Sequence, residues 1–86
     1  MKVVAKPIEV VAWFNDKGGI RPLKFRVMDE EEPQVVKVDR MVHTHLEKFA
    51  GNPMHVFDCQ STVEGQTRIY QLKYEVATGR WILFKI

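Results

Sequence analysis

The sequence lacks the features that are typical of small secreted proteins and of membrane proteins. Its 86 residues contain a single cysteine, Cys59, so no intramolecular disulfide can form and a disulfide-framed secreted module is excluded. No apolar run approaches the roughly 20 residues that span a bilayer. Lys6, Pro7 and Glu9 also interrupt the N-terminal apolar stretch, unlike the continuous apolar region of a signal peptide. These absences predict a cytoplasmic protein with no membrane partner.

Motifs that specify a reaction are absent as well. The sequence contains no nucleophile elbow, no phosphate-binding loop, and no serine, histidine and aspartate at a readable spacing. Gly18-Gly19 precedes a strand-like segment and lacks the lysine and the serine or threonine of a phosphate loop, so the pair indicates a hairpin turn. We therefore expect a protein that is not an enzyme and uses no cofactor.

The composition is that of one folded domain covering residues 1–86. Hydrophobic residues make up 45% of the chain and charged residues 28%, which is near the globular average and unlike disordered chains. A chain of this length can bury a core without metal or disulfide support. The net charge of +2 permits a polyanionic partner but does not by itself indicate one.

The dominant pattern is two-residue alternation with β-branched and aromatic residues, interrupted by turn residues at short intervals. This pattern predicts a mostly β fold, a small antiparallel meander or barrel of the SH3-like or OB-like kind with five to six strands, because closure protects strand edges. The predicted strands are Pro7 to Phe14, Ile20 to Met28, Val35 to about Leu46, Met54 to Val63, Thr67 to Val76 and Arg80 to Ile86.

One segment is open to two interpretations. Val42, Leu46 and Phe49 fall at helical spacing, so a short helix near Val42 to Ala50 is an alternative to strand. Strand is favoured at least through His43 because Val36, Val38 and Val42 share one face at period two.

Turn chemistry predicts the register of the last three strands. A two-residue loop at Glu64-Gly65 places Cys59 opposite Tyr70 and Phe57 opposite Leu72. A three-residue loop, Ala77-Thr78-Gly79, would then place Tyr74 opposite Ile82. Together these loops predict one buried face made of Phe57, Cys59, Tyr70, Leu72, Tyr74, Ile82 and Phe84.

The same register predicts a partner-binding surface on the outer face. Trp13, Trp81 and Leu83 fall out of phase with the predicted buried residues of their strands. Large exposed apolar side chains on a small domain usually serve a partner. The leading hypothesis is therefore a non-catalytic, macromolecule-binding module whose partner is another protein or a second copy of itself.

Two further hypotheses rest on other residues. Single-stranded nucleic acid is the alternative ligand, because the outer face also carries cations that could meet phosphates while the aromatics stack on bases. These cations are Lys24, Arg26, Lys73 and Lys85. A metalloenzyme is the third hypothesis, since His43 and His45 share a strand face and Asp58 is expected near His45. The sequence has no second pair of cysteines or histidines to complete such a site, so we predict no metal site.

Overall fold

The computed structural model describes every residue from Met1 to Ile86 and contains only β-strands and connecting loops. The seven strands are β1 (Val3–Phe14), β2 (Ile20–Val27), β3 (Val35–Lys37), β4 (Arg40–Phe49), β5 (Asn52–Val63), β6 (Gln66–Glu75) and β7 (Arg80–Lys85). The predicted β class is confirmed. The structure has no helix that is long and apolar enough to span a membrane.

The predicted strand count is too low, because the segment from Val35 to Leu46 forms two strands. The chain leaves β3 at Val38 and Asp39, whose amides donate hydrogen bonds in opposite directions, to the carbonyl oxygens of Leu23 in β2 and Gln60 in β5. The chain then continues as β4 through Phe49. The short helix considered for Val42 to Ala50 is therefore wrong, and β-branched residues on one face outweigh the helical spacing.

The strands form one antiparallel sheet in the order β3-β2-β1-β7-β6-β5-β4. β1 pairs with β7, so the first and last strands lie at the centre, and β3 and β4 lie at the two edges. The sheet curls into a half-barrel and does not close. Its inner face holds a core of Ile8, Phe25, Phe57, Cys59, Tyr70, Leu72 and Leu83.

The register of β5 and β6 matches the prediction. Cys59 lies opposite Tyr70 and Phe57 opposite Leu72, and both pairs are in the core. The two-residue loop fixes this register because Glu64 and Gly65 both have positive φ, at 51° and 77°. Such angles are typical of the tight turns that join antiparallel strands.

The predicted register of β6 and β7 is wrong by one residue. The connecting loop has four residues, from Val76 to Gly79, so that Tyr74 lies opposite Trp81 and Leu72 opposite Leu83. A one-residue slip moves every side chain of a strand to the other face of the sheet. Trp81 and Leu83 therefore face inward, and two residues predicted to be core, Ile82 and Phe84, face outward.

Candidate functional site

The largest concave surface of the molecule is a groove on the outer face, where β1, β2, β3 and β7 lie side by side. We call it the outer groove. Its volume is about 980 Å³, and its lining combines apolar and charged side chains. The side chains that project toward it from the outer face include Pro7, Glu9, Val11, Lys24, Arg26, Val35, Arg80 and Ile82. It is an open surface and not an enclosed cavity.

Several cations lie on or beside this groove. Lys24 of β2 lies directly opposite Lys37 of β3, and Arg80 lines the groove from β7. Glu9 is the single carboxylate of the lining, and it is bound by Arg26 at 2.7 Å. Lys24, Lys37 and Arg80 belong to none of the three ion pairs in the structure. Lys24 and Lys37 thus have no carboxylate partner in the structure, whereas Arg80 lies directly opposite Glu75.

Lys24 and Lys37 place two positive charges directly opposite each other on one face of the sheet. Like charges directly opposite each other on a sheet face are destabilising. Both lysines are exposed, so water screens much of their repulsion. A bound anionic group would relieve the remaining repulsion.

Trp13 lies at one end of this surface, as its alternation with the inward residues of β1 predicts. Its side chain is on the outer face opposite Arg21, two residues beyond Val11, and it is 56% exposed. Val11 and Val35 are exposed on the same face. Trp13 therefore adds an indole to a surface of aliphatic and basic side chains.

Trp81 and Leu83 lie on the inner face, so their predicted outward position is wrong. Leu83 is buried in the core. Trp81 is half-buried and packs against Phe57 at 5.5 Å and Tyr74 at 4.8 Å between ring centroids. Both residues therefore stabilise the fold, and only Trp13 remains of the predicted apolar outer surface.

The four predicted anion-binding cations separate into two groups. Lys24 and Arg26 lie on the outer groove, but Lys73 is buried on the outer face of β6. The Lys73 ammonium is 2.8 Å from a carboxylate oxygen of Glu47 and 3.7 Å from the centre of the Phe84 ring. Lys85 lies near the same ring, at 5.7 Å. Lys73 is thus occupied by contacts within the protein.

The two histidines of β4 have no third metal ligand. The His43 and His45 rings lie 5.6 Å apart on the outer face. Asp58 lies opposite His43 instead of His45, and it accepts a hydrogen bond from Gln71 at 3.0 Å. No group of three histidine, cysteine, aspartate or glutamate side chains is placed to hold a metal ion.

A second concave site opens on the inner face at one end of the half-barrel. We call it the inner cavity. It has a volume of about 340 Å³ and is lined by Phe25, Val27, Val36, Ser61, Val63, Arg68, Ile69, Tyr70, Leu83 and Ile86. Sequence reasoning missed this site, because it depends on the curl of the sheet, which brings β2 and β3 over β5 and β6.

Two titratable groups in the core are held in their neutral forms. Burial raises the pKa of the Cys59 thiol to about 12, and the charge of Asp58 acts in the same direction. Burial also raises the pKa of Tyr70 to about 12, against the lowering effect of its hydrogen bond with Ser61. Cys59 is fully buried, so it is not placed to act as a nucleophile.

Comparison of the chain with protein-family models, with curated proteins and with solved structures finds no match. The predicted likeness to SH3-like or OB-like barrels therefore stays a prediction. The geometry of the two concave surfaces carries the functional argument.

Proposed function

We propose that this chain is a non-catalytic protein-interaction module whose outer groove binds an extended segment of a partner protein that is both acidic and apolar. The observation that carries this proposal is the pair of lysines without a carboxylate partner, Lys24, which lines the groove, and Lys37, which lies directly opposite it on the neighbouring strand. A partner carboxylate between them would replace a repulsion with two attractions.

The apolar part of the lining favours a peptide over a nucleic acid. Val11, Val35 and Ile82 present aliphatic surface, which suits leucine, isoleucine or valine side chains of a partner. Single-stranded nucleic acid needs a series of aromatic platforms. On the outer face Trp13 offers such a platform, whereas Trp81 faces inward and the Lys73 ammonium already lies over the Phe84 ring.

The total accessible surface also supports a binding role. The chain exposes 6043 Å², whereas a folded monomer of its mass exposes about 5,300 Å². The excess of roughly 740 Å² approaches the approximately 800 Å² that one partner contributes to a standard protein interface. Trp13 and Val35 are among the large hydrophobic residues that are more than half exposed.

The proposal is tested by fluorescence titration with two labelled probes, a short peptide that alternates glutamate with valine, and oligothymidylate. We expect the peptide to bind more tightly than its glutamine–valine counterpart. The Lys24→Gln/Lys37→Gln double variant should lose about tenfold or more in affinity for the peptide, because charged hydrogen bonds contribute about 1.5–3 kcal/mol. The matched control is Lys17→Gln/Lys48→Gln, which removes two exposed lysines outside the groove.

Replacing each of the two tryptophans gives a second test of the proposal. Trp13→Ser should leave a folded protein with weakened peptide binding, whereas Trp81→Ser should destabilise the fold, because removing a large aromatic side chain from a core typically costs about 3–5 kcal/mol. Tighter binding of oligothymidylate than of the peptide, lost in the Lys24/Lys37 variant, would identify the ligand as nucleic acid. Equal binding of all probes by the groove and control variants would contradict the proposal.

A further inference from the structure

The inner cavity has the properties of a small-molecule site that is separate from the outer groove. Its volume of about 340 Å³ lies within the roughly 300–1,000 Å³ of most ligand pockets, and barrel mouths are common places for such pockets. A cavity of about 150 Å³ already encloses benzene. The inner cavity is therefore large enough for a ligand of about eight to ten carbon atoms.

Polarity is distributed unevenly along the cavity. Its deep wall is formed by Phe25, Tyr70 and Leu83, all of them buried. The two hydroxyl groups there satisfy each other, since Ser61 Oγ lies 2.5 Å from the Tyr70 hydroxyl and donates to the carbonyl oxygen of Lys37 at 2.6 Å. The deep wall therefore requires no polar partner from a ligand.

The rim combines exposed apolar side chains with one cation. Val63 and Ile86 line the cavity and are each about half exposed. Arg68 lies directly opposite Ser61 and lines the cavity. Its only side-chain hydrogen bond is to the Gln66 amide oxygen, at 3.1 Å, and it belongs to no ion pair.

From this distribution we propose that the inner cavity binds a small amphipathic anion, with its aliphatic body against the buried wall and its carboxylate on the Arg68 guanidinium. The lining has no acidic side chain that would compete for Arg68 or repel the head group. Guanidinium and carboxylate form strong paired hydrogen bonds, and these are stronger beside an apolar cavity than in bulk water. The body of the ligand would cover the exposed rim.

Calorimetric titration with decanoate and decanol tests this proposal. The native protein should bind one decanoate, and Arg68→Gln should weaken decanoate binding about tenfold while leaving decanol binding unchanged. Arg40→Gln, which removes an exposed arginine outside the cavity, is the matched control and should bind as the native protein does.

Cavity-filling variants locate the ligand. Val36→Phe should abolish binding of both compounds, and Val63→Trp at the exposed rim gives the same test if Val36→Phe does not fold. The proposal is overturned by absent binding of decanoate, by equal binding in the native and filled proteins, or by an unchanged affinity in Arg68→Gln. Self-association that buries the rim without ligand would also overturn it. None of these results depends on the outer groove.

Discussion

The ion pair between Lys73 and Glu47 gives the sharpest prediction about stability. The Lys73 side chain is only 10% exposed and Glu47 25%, and their charged atoms are 2.8 Å apart. At this distance and an effective dielectric constant of about 20, the gross attraction is about 6 kcal/mol. Desolvation of the two ions offsets much of it. Glu47→Gln leaves the ammonium largely desolvated without its counter-charge, so we expect a loss of about 1.5–3 kcal/mol.

Urea unfolding followed by tryptophan fluorescence measures this loss. For a chain of this length it corresponds to a fall in Tm on the order of 10 °C. The matched control is Glu9→Gln, which breaks an exposed pair with Arg26 at 2.7 Å and should cost less than about 1 kcal/mol. Lys73→Met added to Glu47→Gln should recover most of the loss, because an apolar side chain needs no counter-charge there. Equal, small losses in both single variants would refute the reasoning, since Lys73 would then be as well solvated as Arg26.

Three further predictions concern other parts of the fold. Gly79 has a φ of +73° and no neighbouring atom within 4 Å of an added Cβ, so Gly79→Val should cost about 1–3 kcal/mol through backbone strain alone; an unchanged urea midpoint would show that the loop relaxes. His43 and His45 are exposed, so their double replacement by alanine should alter stability by less than about 0.5 kcal/mol, and stoichiometric metal lost with the replacement would contradict this. The raised pKa values of Cys59 and Tyr70 mean that the unfolded chain loses these protons first, so the free energy of unfolding should fall between about pH 9 and pH 12. A flat alkaline profile would count against the burial of these groups.

The sequence predicts the fold well where local chemistry determines the register. Glu64-Gly65 can form only a short turn, and alternation on both flanking strands then places Cys59 opposite Tyr70. Alternation along β1 likewise places Trp13 correctly on the outer face of the sheet. In these elements each residue's position follows from its near neighbours.

The prediction fails where long-range packing determines the register of two strands. The β6–β7 loop accommodates either three or four residues by its composition, and both registers give alternating apolar faces. The observed register places Trp81 against Phe57 and Tyr74, and a bulge at Phe84 lets Lys85 return opposite Gln71. Neither the aromatic cluster nor the bulge is visible in the local pattern.

The residues of the candidate sites could also be predicted only in part from the sequence. Lys24 and Arg26 are predictable as outward residues of β2, and both lie on the outer groove. Lys37 could not be added to them from the sequence, because β3 has only three residues and follows an irregular acidic loop. The inner cavity likewise depends on the turn at Val38 and Asp39 that joins the two halves of the sheet.

Nuclear magnetic resonance shows whether an acidic and apolar peptide binds in the outer groove. The alternating glutamate–valine peptide is titrated into the ¹⁵N-labelled protein. We expect the largest shifts at the amides of Val11, Lys24 and Lys37 and at the Trp13 indole. Shifts confined to residues of the inner cavity, such as Val63, or no shifts at all, would contradict the proposal.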